Sequence, residues 1–152
     1  MELLADLLNL NLPERVSYDT ERNILFVNLE GWHARAKSDL DDLRMVLVGA
    51  CKKAGQRVNT VVNHDGFRIN ENLYDDYAHM IQYLQANYYL TTTRYATSAF
   101  LRLKMEEALN NRGVAPHVFE RKEDAHAFLE GAGKVRRAST AIASAAWPRW
   151  IR

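Results

Sequence analysis

The chain has 152 residues, 47% of them hydrophobic and 26% charged, which suits a soluble globular domain with a core of its own. No apolar run approaches the roughly 20 residues that span a bilayer, and the single cysteine, Cys51, excludes an internal disulfide and any cysteine-rich metal site. The net charge of +1 is unevenly spread, because residues 1–133 carry 15 basic against 19 acidic groups whereas residues 134–152 carry five basic and none acidic. The body therefore argues against nucleic-acid binding by charge. Glu2 and Asp6 near the start, with no basic n-region, argue against a secretory signal and for a cytoplasmic protein.

In chain order, residues 1–13 read as a leader helix and linker, with Leu3, Leu4, Leu7 and Leu8 on one stripe that ends before Pro13. Residues 14–133 read as one α/β domain. "RVSYD" and "NILFVNLEG" are two strands joined by the polar turn "DTERN", a hairpin. Ser38, with Asp41 three residues on, is expected to open a helix whose apolar face is Leu40, Leu43, Leu47, Ala50 and Ala54, stopped by Gly55. Cys51 on that helix reads as a small buried hydrophobe. "VNTVVN" is a β-branched run suited to a buried central strand.

A second helix is expected from about Glu71, N-capped by Asn70, with Leu73, Tyr77, Met80, Leu84 and Tyr88 as its apolar face. "YLTTTRYA" makes a fourth strand. Thr97 or Ser98 caps a third helix carrying Leu101, Met105, Ala108 and Leu109, and "HVFE" and "KEDAHAFLEG" close the domain as strand and helix. After the leader the order is ββαβαβαβα, which predicts a mixed, mostly parallel sheet with packed helices. Residues 134–152, small-residue-rich and broken by Pro148, read as a disordered basic tail. A rival reading is a surface-binding segment using Trp147 and Trp150.

That order matches the STAS-like fold, named for sulfate transporters and anti-sigma-factor antagonists. "RVSYDTERNILFVNLEG", "VVNHDGF", "YYLTTTRYATSAFLRLKMEEAL" and "HVFERKEDAHAFL" resemble the C-terminal STAS-like extension of bacterial acyl-CoA:acetate/3-ketoacid CoA-transferases, over about Leu10 to Leu129. The strongest block is "TRYATSAFLRLK", Thr93–Lys104. The resemblance implies a protein partner, the transferase body or a second copy of the chain. The catalytic Glu of those transferases lies in a Ser-Glu-Asn-Gly-like motif near a glycine-rich CoA-binding segment. Neither motif occurs here, since Glu30 in "LEGWHA" lacks the flanking Ser and Asn. The resemblance thus implies no catalytic residue and no cofactor in this chain.

Antagonist domains of this fold carry a phosphorylatable Ser or Thr at the start of the helix after the central strand. From Val61 through Leu90 this chain has neither, so that switch is missing. "VVNHDGFRIN" still gathers polar groups at a strand end. His64 and Asp65 are adjacent, so on a strand they point to opposite faces; a Ser98–His64–Asp65 hydrolase is the third-ranked reading, without a nucleophile-elbow signature. A pocket for a small acyl or carboxylate ligand ranks second, because parallel strands place ligands beyond their carboxyl ends. It would gather Asn63, Asp65, Arg68, Arg94 and Tyr95, with Ser98 at its border. The plainer expectation for Arg94, alone among threonines, is an ion pair with Asp65 that fixes the loop. The five histidines are scattered without metal-ligand spacing, and the tyrosines Tyr74, Tyr77, Tyr83, Tyr88, Tyr89 and Tyr95 are expected to form core or a docking face. The leading expectation is a non-catalytic docking or regulatory domain.

Overall fold

The computed structural model describes residues 11–133; the leader stripe at residues 3–8 and the basic tail at 134–152 lie outside the described residues. Pro13 sits inside a 3-10 turn, Leu12–Arg15, where its missing N–H costs nothing. Strands β1 (Val16–Asp19) and β2 (Ile24–Asn28) form the expected hairpin, paired Val16 to Val27 and Asp19 to Ile24. Its turn is built by Asp19, whose carboxylate accepts from the Glu21 and Arg22 N–H groups at 3.0 and 3.2 Å. Asn23 takes the left-handed conformation at φ 54°.

A two-residue strand β3 (His33–Ala34) precedes helix α1 (Lys37–Ala54), which is followed by β4 (Val58–Asn63) and another two-residue strand, β5 (Arg68–Ile69). A 3-10 turn at Glu71–Leu73 leads into helix α2 (Tyr74–Asn87), then β6 (Tyr89–Tyr95), helix α3 (Ala99–Asn111), β7 (Val118–Phe119) and a last helix α4 over residues 122–133. The main sheet runs β1-β2-β4-β6-β7, antiparallel only at the hairpin, so the protein is the predicted α/β with a mostly parallel sheet. β4 is central, as its β-branched run implied. The short ribbon of β3 with β5 was not predicted; two residues carry no readable period.

Leu40, Leu43, Leu47 and Cys51 of α1, Tyr77, Met80, Ile81 and Leu84 of α2, and Leu101, Met105 and Leu109 of α3 share one core with Leu25, Val27, Val58, Val62 and Tyr89 of the strands. The three crossover helices therefore cover one face of the sheet. The other face is covered by α4, whose Leu129 packs with Ile24 and Val61, and whose His126 ring stacks on Phe26 at 5.9 Å.

Two expected helix starts are corrected. α1 begins before Ser38, at Lys37, because the Asp39 carboxylate reaches back to the Arg35 and Ala36 N–H groups at 2.8 and 3.0 Å. Asn70 does not cap α2; its amide donates to the Arg35 carbonyl at 2.9 Å and its oxygen meets His33 at 3.1 Å, tying the β3–β5 ribbon together. Ser98 does cap α3, accepting from Leu101 N–H at 3.1 Å. Leu109, fully buried where α3 meets the core, is the position to test packing. Leu109→Ala is expected to cost about 2–5 kcal/mol in urea unfolding, whereas Met45→Ala, 73% exposed on α1, should change stability by less than about 0.5 kcal/mol.

Candidate functional site

The polar groups singled out from sequence lie at the carboxyl ends of β4 and β6, and the register decides which of them meet. Val62 pairs with Arg94 and Asn63 with Tyr95. Because side chains alternate along a strand, Arg94 turns to the helix-covered face and Tyr95 to the α4 face, where it packs on the Ile24–Val61–Leu129 cluster. One strand cannot offer both to one pocket.

On the outer edge, the polar groups satisfy one another. Asn63 donates to the Asn28 side chain at 3.2 Å and, more weakly, to Glu30 at 3.5 Å. Its oxygen accepts from the Asp65 N–H at 2.9 Å, and the Asp65 carboxylate accepts from the Thr97 N–H at 2.7 Å. The Asp65 carbonyl takes the Gly31 N–H at 3.2 Å. Gly66 sits here at φ 67°, its absent Cβ 3.4 Å from Gly31 N, so a side chain would be strained in conformation and tight in space. Asp65 is thus a loop clamp between two strand ends. The expected Asp65–Arg94 pair is not made: among the described residues no ion pair reaches Arg94.

Arg68 is exposed on β5 and takes no part in the hydrogen bonds of that outer edge. It borders a cleft of about 670 Å³, with Arg15, Glu30, Trp32, His33 and Asp65 among its other walls. Ser98 is exposed and spends its hydroxyl on the α3 cap, while the buried His64 ring turns its Nε2 to Tyr77, so the Ser98–His64–Asp65 arrangement is not assembled. The strand order also rises without reversal from β2 to β7, so the described sheet has no switch point at which a ligand crevice would open.

Inside, the picture differs. His64 is wholly buried, its Nε2 2.7 Å from the Tyr77 hydroxyl and its ring edge-on to Phe67 and Tyr77. Burial, and next the charge of Arg94, lower its pKa to about 3, so it is neutral in the folded protein. The Val62 backbone pulls the other way, although Nδ1 makes no hydrogen bond of acceptable geometry. Burial pushes the Tyr77 and Tyr89 phenols up, so neither offers a negative charge. Arg94, also wholly buried, donates through Nη1 to the Pro116 carbonyl at 2.6 Å, while Nε and Nη2 have no partner among the described residues. Burial lowers its pKa, against the pull of Tyr77 and Tyr89.

Tyr77 was missed as a site residue because its helical spacing marks it equally as core. Cys51 behaves as expected, buried and with its thiol pushed up to about 11 by burial. Among the described residues, no group of three or more His, Cys, Asp or Glu could hold a metal ion, and no helix is long and apolar enough to cross a membrane. Compared with known proteins, the chain matches no family model, no curated protein and no solved structure.

Two outcomes test this geometry. His64 binds its proton below its ordinary value in the fold, so the unfolded chain takes up more protons between about pH 6.5 and pH 3. Stability should therefore fall as pH drops through that window. Urea midpoints across it should show a slope in wild type that His64→Gln flattens by about one proton, or about 1.4 kcal/mol per pH unit; equal slopes would refute the buried neutral histidine. Ser98→Ala should cost about 1 kcal/mol through the lost cap, measured by thermal unfolding.

Proposed function

We propose that this chain is a non-catalytic, STAS-like docking or regulatory domain that seats on the body of an acyl-CoA transferase. The carrying observation lies in the block Thr93–Lys104, which also carries the resemblance. Helix α3 turns Leu101 and Met105 into the core but leaves Phe100 and Leu103 outside, 65% and 61% exposed and one turn apart. Lys104 lies 5.7 Å from the Phe100 ring centre and pairs with Glu71, giving the apolar pair a charged rim. Single exposed apolar residues need no explanation, but a large aromatic beside an aliphatic within a polar border is the form a docking anchor takes.

The expected tyrosine face is not this surface. Tyr77 and Tyr89 are core, Tyr74, Tyr88 and Tyr95 are half-buried, and Tyr83 is exposed on α2 against Tyr88 and Arg44. The polar strand ends support the same reading, since Asn63, Asp65 and Ser98 are spent on holding loops and a helix start. The transferase chemistry is assigned to the partner because the glutamate and glycine-rich motifs of such enzymes are missing from this sequence.

The full chain, added to a transferase body that lacks its extension, is expected to co-migrate with it in sedimentation and to raise its stability or alter its kinetics. The double variant Phe100→Asp/Leu103→Asp should weaken that association at least tenfold while its own melting temperature stays close to wild type. No change in the transferase on adding wild type would sink the proposal. Self-association lost in the double variant, without transferase binding, would assign the face to a second copy instead.

A further inference from the structure

The cleft that Arg68 borders has room of about 670 Å³, inside the roughly 300–1,000 Å³ range of small-molecule sites. It lies beside the carboxyl ends of β2 and β4 and is walled on one side by the β3–β5 ribbon, without any reversal of strand order. Another wall is Trp32, whose indole stacks on the buried Phe67 ring at 6.0 Å, the rings 20° from parallel. A flat aromatic surface is thus fixed in an otherwise polar cleft. Gly31 and Gly66 line it with backbone alone.

The charges in the cleft are not equally free. Asp39 gives its carboxylate to the Arg35 and Ala36 N–H groups, and Asp65 gives its own to the Thr97 N–H. Arg15 is held by the Asn28 and Glu30 carbonyls at 3.1 and 2.9 Å and feels the charge of Glu30. The basic groups of the ribbon are less committed. His33 lies opposite Arg68 in register, so their side chains share a face. Arg35 donates through Nε to His33 Nδ1 at 3.1 Å, which puts the ring proton on Nε2, facing the Asn70 oxygen at 3.1 Å. That chain positions Arg35 yet leaves its Nη1 and Nη2 without a hydrogen bond among the described residues. No ion pair among them reaches Arg35 or Arg68. A single exposed arginine is ordinarily just solvated. Here two border one concave space beside a fixed aromatic wall, while the neighbouring aspartates are turned to backbone.

We propose that this cleft binds a small aromatic oxyanion, its ring laid on Trp32 and its carboxylate or phosphate held by Arg35 and Arg68. A bare inorganic anion, a few water volumes in size, would leave most of the space to solvent. The planar fork of a guanidinium suits either oxyanion. No residue of the cleft belongs to the α3 docking face, so either proposal can fail alone.

Titration of the full chain with benzoate and with phenyl phosphate, followed at the Trp32 indole N–H by nitrogen-15 NMR, tests it. The spectrum of Trp32→Phe identifies that signal. At least one of the two should shift it saturably, with a Kd about tenfold or more below those of acetate, inorganic phosphate and benzyl alcohol. The tighter of the two names the oxyanion. At matched ionic strength, Arg35→Ala and Arg68→Ala should each weaken binding about tenfold, the exposed Arg68→Ala melting close to wild type. Should Arg35→Ala fail to fold for want of its bond to His33, Arg68→Ala alone decides. No saturable shift with either aromatic anion, equal affinity for the ring-free anions, or binding that Arg68→Ala leaves unchanged would overturn the proposal.

Discussion

The alternation of side chains at the carboxyl ends of the two central strands governs the chemistry of this domain. With Val62 opposite Arg94 and Asn63 opposite Tyr95, each polar residue is committed to one face. A slip of one residue would put Arg94 against α4 and drive Tyr95 into the helix layer. Both faces are covered, so neither error is tolerable, and the register is strongly specified. The polar groups are divided accordingly. Asn28, Glu30, Asn63, Asp65 and Thr97 bond one another along an outer edge, while Arg94 and His64 are left incompletely satisfied in the interior.

The elements were readable because each carries its own period. Leu40, Leu43 and Leu47 mark the buried stripe of α1, and Tyr77, Met80 and Leu84 that of α2, without knowledge of their partners. The β-branched run of β4 announced burial on both sides. The unreadable features depended on partners distant in sequence. Asn70 looks like a helix cap, but β3 lies beside it and claims its amide. Asp65 looks like the counter-charge for Arg94, yet the Thr97 N–H takes its carboxylate from the neighbouring strand end. Parity along "TTTRYA" alone separates Arg94 from Tyr95, and that signal was in the sequence.

The strand order explains why the polar ends are structural. Each crossover moves the chain the same way across the sheet, from β2 to β4 to β6 to β7. Open α/β sheets that bind ligands at their strand ends do so where this progression reverses and two loops diverge. Here adjacent loops stay in contact, and Gly31 and Gly66 pass closely enough that a Cβ at Gly66 would stand 3.4 Å from Gly31 N. Between these two loops the backbones meet before any side chain is considered, and the cleft beside them is walled by Glu30, Asp65 and Arg68. The unusual polar chemistry of this domain, at His64 and Arg94, is enclosed.

Arg94 also has a mechanical role that bears on how its charge is interpreted. β7 has two residues and lies at the sheet edge, where short strands gain little from pairing. The Arg94 backbone N–H donates to the His117 carbonyl at 2.9 Å, and its Nη1 to the Pro116 carbonyl just before. One residue thus anchors the approach to β7 through both main chain and side chain, and the side-chain bond sets the direction in which Nε and Nη2 point. A hydrocarbon of similar length would remove the charge and its desolvation cost together with that anchor. A lysine would keep the charge but has a point-like donor, not a fork. Position 94 therefore holds the sheet edge through main chain and side chain alike.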